Sequence, residues 1–251
     1  MGSPGSITRV TGQVIDALST EEFMAQVRVQ ASAPELSGIS VALEAKSAGF
    51  KRILGDTSRL PGPDELRALL RSIFATRRRA DKIVGSVGPD RLAGACMELV
   101  AVSELDQAAL SRFEDALSPA GEVPFELAFE LLHFTRPDRF WLWTRWIFDP
   151  RTETGALRLL VADEVDLYGK YPVETYMKLG AALAFLHEHA QASAATPLGE
   201  GPFTVDVLLA CVYAVYMYTV LRLRMTQEFN RIVPVLPELV RRLLGGQHME
   251  V

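Results

Sequence analysis

VLLACVYAVYMYTVL, Val207 to Leu221, is the stretch whose reading decides the fold. Its fifteen residues carry no charge and are bracketed by Asp206 and Arg222. A bilayer span needs roughly 20 apolar residues, and Tyr213, Tyr216 and Tyr218 bring hydroxyls that call for an interface or a hydrogen-bond partner. A helix that is apolar all round, and too short to cross a bilayer, belongs at the centre of a helical bundle. The expectation is a mainly α, single-domain helical bundle built around this buried helix near the C-terminus, and it argues against integral membrane insertion.

On its C-terminal side, Pro234 and Pro237 precede a short helix, Glu238 to Leu244, that Gly245-Gly246 ends. Residues 247–251 read as a tail. On its N-terminal side, ASAATPLGEGP, residues 192–202, reads as a linker inside the helical domain 19–246. Before it, Tyr171-Pro172 opens a long helix through Met177, Leu179, Leu183, Phe185 and Leu186.

The clearest periodicity lies further back. Pro63 with Asp64 and Glu65 opens a helix whose stripe is Leu66, Leu69, Leu70, Ile73 and Phe74. Ser19-Thr20-Glu21-Glu22 has the form of a capping box for a first helix, after an irregular or flexible segment 1–18. Pro34 to Leu54 follows a loosely helical period that Gly49 interrupts, Leu92 to Val100 marks another helix, and Ser103 is read as the cap of the next. The segment from Phe140 to Val161 fits an aromatic helix and turn, favoured on context, or a short β-hairpin closed by DPRTETG.

Composition agrees with a globular chain: 251 residues, 49% hydrophobic, 23% charged and a net charge of -5. Mean hydropathy is +0.13, at the apolar end for a protein in water. With two cysteines, Cys96 and Cys211, there is neither a disulfide framework nor a Cys-based zinc site, so a reducing, cytoplasmic compartment is expected. Short signatures of nucleotide binding and of nucleophilic or zinc hydrolysis are absent.

Three constellations remain. In the helix FELAFELLHF, Glu126, Glu130 and His133 share one face, and Glu-x-x-His is half of a carboxylate-bridged di-metal motif. No second copy of the motif exists to complete it, so a mononuclear metal ion is the most it supports. Arg77, Arg78 and Arg79 form a basic patch on an acidic protein, which Asp81 dilutes; this argues against nucleic acid as the partner. RPDRFWLWTRW, Arg136 to Trp146, holds all three tryptophans, and Arg139, Trp141, Trp143, Arg145 and Trp146 are the residue types of protein-protein hot spots. Over ten residues, LLHFTRPDRF, Leu131 to Phe140, resembles a segment of helix-hairpin-helix DNA glycosylases. The Gly-rich hairpin leading to a catalytic Lys or Asp is missing, so that family's activity is not implied.

The functional expectation is a non-catalytic accessory or adaptor protein that docks through the Trp/Arg segment on a protein partner or a second copy, with no cofactor. The alternative is a helical metal- or small-molecule-binding enzyme that uses Glu126, Glu130 and His133 in a bundle cavity, with Arg139 or Arg145 holding an anionic ligand.

Overall fold

The computed structural model describes residues 14–56, 58–192, 201–224 and 234–245, and over these the protein is all-α. The helices are α1 (Ala17–Gln30), α2 (Ala33–Leu54), α3 (Pro63–Ser72), α4 (Ala80–Val87), α5 (Pro89–Ala101), α6 (Gln107–Leu117), α7 (Glu126–Thr135), α8 (Pro172–Ala192), α9 (Thr204–Arg224) and α10 (Leu236–Leu244). The buried apolar side chains form one cluster to which all ten helices contribute. Most of the 192–202 linker and the 247–251 tail lie outside the described residues.

Local chemistry sets several boundaries as expected. Pro63 opens α3, Pro172 opens α8, and α10 closes at Gly245 in the left-handed region, φ 70, where only glycine fits: a Cβ there would stand 2.1 Å from the Ser72 carbonyl oxygen. Other caps differ. The Asp16 carboxylate, not Ser19, caps α1 by accepting from the Leu18 and Ser19 amides. Tertiary anchoring decides this, because Ile15 forms an isolated bridge with Val161 and Asp16 N–H donates to Leu160, which fixes where the chain turns into the helix. Asp106, not Ser103, caps α6. The capping box sits instead at the start of α2, between Ser32 and Glu35, and α2 runs unbroken through Gly49, which is buried in the core.

The centre of the bundle is not α9 alone. The first half of α9 is buried from Thr204 to Val212, but the helix then surfaces and Tyr216 is exposed. The helix enclosed on every side is α7, all ten of whose residues are buried. It packs against α2 and α5, with the 140–148 segment and Tyr176 of α8 also against it. α9 packs mainly on α10, α1 and α8. Among the described residues, no helix is long and apolar enough to cross a membrane.

Residues 140–161 are neither the favoured helix nor a paired hairpin. The chain runs out irregularly, returns on itself through one Asp149–Thr154 bridge, and ends in a 3-10 turn, Leu157–Leu159. The amides of Ala156 and Leu157 donate to Trp146 and Ile147, closing a compact loop. Gly155, at φ 140, lies so close to the other arm that a Cβ would approach the Ile147 carbonyl oxygen to 2.3 Å. The loop forms because the aromatic side chains of its first arm bury individually in the core and leave no regular face for strands to pair on.

Candidate functional site

A charge on a helix buried on all sides calls for a partner, since an unpaired buried charge costs several kcal/mol, about 3–5 when one partner of an ion pair is removed. α7 carries Glu126, Glu130 and His133. They are buried, and each has different company.

Glu130 is met by Lys46 of α2 at 3.0 Å, in a pair with both side chains buried. The Lys46 ammonium also donates to the Leu244 carbonyl at the end of α10, at 2.9 Å, and lies 3.8 Å above the Phe134 ring. Burial pushes Lys46 down and Glu130 up from their ordinary values, and each partner's charge opposes the other's shift.

His133 is clamped between two oxygens, with Nδ1 2.7 Å from the Phe140 carbonyl and Nε2 2.8 Å from Asp206 Oδ2 of α9. A carbonyl and a carboxylate both accept, so the ring donates from both nitrogens as an imidazolium. Burial alone would lower its pKa, but the Asp206 charge and the two hydrogen bonds outweigh burial and hold it above 6.5.

Both nitrogens of His133 are in use and Glu130 is neutralised by Lys46, so the three residues do not form a ligand set. No group of three or more His, Cys, Asp or Glu suited to a metal ion occurs among the described residues.

Glu126 is less completely paired than the other two. Its side chain is 7% exposed, Arg145 Nε faces its Oε1 at 3.4 Å, and its Oε2 has no hydrogen-bond partner. Burial raises its pKa, and the local backbone amides and the Arg145 charge only partly offset the rise. It opens into a cleft of about 630 Å³ bounded by α7, the 144–159 loop, the second half of α9, Leu243 of α10 and the turn after α3. Thr144, whose Oγ1 is also buried without a partner, and Glu130 line the same cleft. Its walls are aromatic: Trp146, Tyr213, Tyr216 and Phe74. Tyr216, Phe74 and Glu153 are exposed at the rim, and Glu153 stands at φ 54, an uncommon conformation for a residue with a Cβ.

The Trp/Arg segment is mostly core. Trp143 is 2% exposed, stacks among Phe125, Phe129 and Tyr176, and donates its indole N–H to Phe148. Trp146 is buried apart from the face it gives to the cleft. Trp141 is half-buried against Gly180 and His187 of α8. Arg145 packs on the Phe125 ring, and Arg139 donates to the Ser103 carbonyl. The five residues therefore present no common exposed face. Trp143 and Trp146 leave the proposed docking surface because the core consumes their indoles.

The basic patch is dispersed in the same way. α3 ends at Ser72, so the three arginines follow a turn and not a helix face. Arg77 stacks 4.3 Å from the Phe74 ring, Arg79 donates to the Glu122 and Ala120 carbonyls, and Arg78 is exposed.

Two partners escaped the sequence reading. Lys46 interrupts a stripe of Leu36, Ile39, Leu43, Phe50 and Ile53 at the spacing of a buried position, and a lysine there requires a buried anion; that signal was legible. Nothing local marks Asp206 as the partner of His133, because a carboxylate at a helix start has an ordinary role there. In comparisons with known proteins, the chain matches no family model, no curated protein and no solved structure.

Proposed function

We propose that the chain is a helical small-molecule-binding protein whose ligand occupies the cleft at Glu126. One observation carries this reading: three residues that each hold a buried polar atom without a hydrogen-bond partner, Glu126 (Oε2), Thr144 (Oγ1) and Arg145 (Nε), line the same aromatic-walled cavity of about 630 Å³. Ligand sites are mostly apolar cavities of about 300–1,000 Å³ with a few convergent polar groups. An unsatisfied buried acceptor costs stability that a bound donor recovers, so the cleft is built for an occupant. The reading keeps the cavity and the Glu126 of the metal- or small-molecule alternative and replaces its metal and His133.

Thermal-shift screening of a fragment library of mixed charge tests it, on the wild type and on Ala75→Trp and Leu243→Trp, which put indoles into the cleft. A fragment at 100 times its Kd adds about 2.7 kcal/mol, which raises the Tm by about 5–10 °C for a chain of this size. The expected result is stabilisation of the wild type that the filled variants lose. Hits that stabilise all three chains equally would defeat the reading.

A further inference from the structure

We infer that the cleft selects an organic cation, an ammonium or amidinium group on a flat apolar body, with the cationic nitrogen paired with the Glu126 carboxylate and the body against Trp146, Tyr213 and Tyr216. The inference rests on the ligand-site reading above and adds the charge class.

The charges around the cleft can be followed one by one. Four carboxylates line it, those of Glu126, Glu130, Asp149 and Glu153, against two guanidiniums, those of Arg145 and Arg158. Glu130 is neutralised from behind by Lys46, and Asp149 by Arg151 at 2.9 Å. Arg158 spends its donors on the carbonyls of Val165 and Ala162 and on Asp163. What remains is Glu126 with Arg145, and Glu153 at the rim, a balance of one negative charge.

Arg145 does not close the site. Its side chain is 40% exposed, its Nε stands 3.4 Å from Oε1 of Glu126 without forming a hydrogen bond, and its guanidinium rests over Phe125. Oε2 stays without a hydrogen-bond partner, and burial holds the Glu126 carboxyl above its ordinary value, a strain that a second cation relieves.

The walls point the same way. The faces of Trp and Tyr are electron-rich and attract a cation within about 6 Å of the ring centroid, whereas an anion gains nothing from them. An anion held by Arg145 would also lie against Glu126. Thr144 Oγ1 can accept a second N–H, which fits a nitrogen group with more than one donor.

The test compares three near-isosteric probes of different charge, benzamidinium, benzamide and benzoate, by isothermal titration on the full chain. The expected result is that benzamidinium binds the wild type most tightly. Glu126→Gln removes about tenfold or more of that affinity, and Tyr216→Leu about two- to fivefold. Tyr216 is 39% exposed, so its variant keeps the test available if Glu126→Gln fails to fold. If benzamide or benzoate binds as well as benzamidinium, and Ala75→Trp abolishes that binding, the ligand site stands and the cation inference is overturned. If no probe binds, or binding ignores Ala75→Trp, both readings fall.

Discussion

At the scale of single residues, two buried ion pairs carry the structural load of α7, and both are open to measurement. Lys46→Met leaves Glu130 buried against nothing, and urea unfolding should show a loss of about 3–5 kcal/mol. The double variant Lys46→Met, Glu130→Leu should recover most of that loss, since a packed apolar pair replaces a buried ionic one at little cost. A double variant as unstable as the single one would show that the Lys46 bond to Leu244, and not its charge pairing, is what matters. For His133 the sign follows from a folded pKa raised above 6.5. Its contribution is fully present below about pH 6.5 and is lost as pH rises through the folded value. The unfolding free energy of the wild type should therefore fall, relative to Asp206→Asn, as pH climbs from 6.5. A difference that grows with pH would reverse the assignment. The thiols of Cys96 and Cys211 are pushed up to about 12 by burial, so neither should react with a thiol reagent until the chain unfolds.

At the scale of elements, the 140–161 loop is where local reading and structure part. Aromatic content there fits a strand, a helix or a hot spot equally well, because each uses the same large apolar side chain. Burial separates them. Trp143→Ala should cost about 3–5 kcal/mol, as for a large core aromatic, while Arg139→Ala, at an exposed position, should shift the Tm very little. Similar effects for both would return the segment to the surface. Gly155→Ala meets the Ile147 carbonyl and must push the loop's two arms apart. It should lower the Tm and, since Trp146 and Thr144 sit on the same loop, weaken any ligand of the cleft. α8 shows the limit of periodicity within a correctly read helix: Leu179, Leu183 and Leu186 are buried, but Met177 and Phe185 from the same apolar series face outward. Phe74 similarly leaves the α3 stripe for the rim of the cleft.

At the scale of the whole molecule, the C-terminal helix closes the core over α2 and α9, burying Leu236, Val240 and Leu244 and giving Lys46 its carbonyl acceptor. Ending the chain at residue 234 should therefore leave helix content with loosened packing, seen as dye binding to exposed apolar surface and a lost near-UV signal. A truncated chain with the wild-type Tm would show that α10 is dispensable. The sequence alone determined the helical class, the starts of α3 and α8, the apolar run inside α9 and the insufficiency of that run to span a membrane. These follow from proline position, period and length, which act within a few turns of the chain. Tertiary structure alone decided that α7 is the enclosed helix, that two tryptophans are core, and that Glu130 and His133 are consumed by partners while one oxygen of Glu126 is left without one. The reason is separation along the chain: Lys46 lies 84 residues from Glu130, and His133 lies 73 from Asp206. A local pattern marks a buried polar residue that needs a partner, but packing across those separations chooses the partner and leaves one oxygen of Glu126 without one.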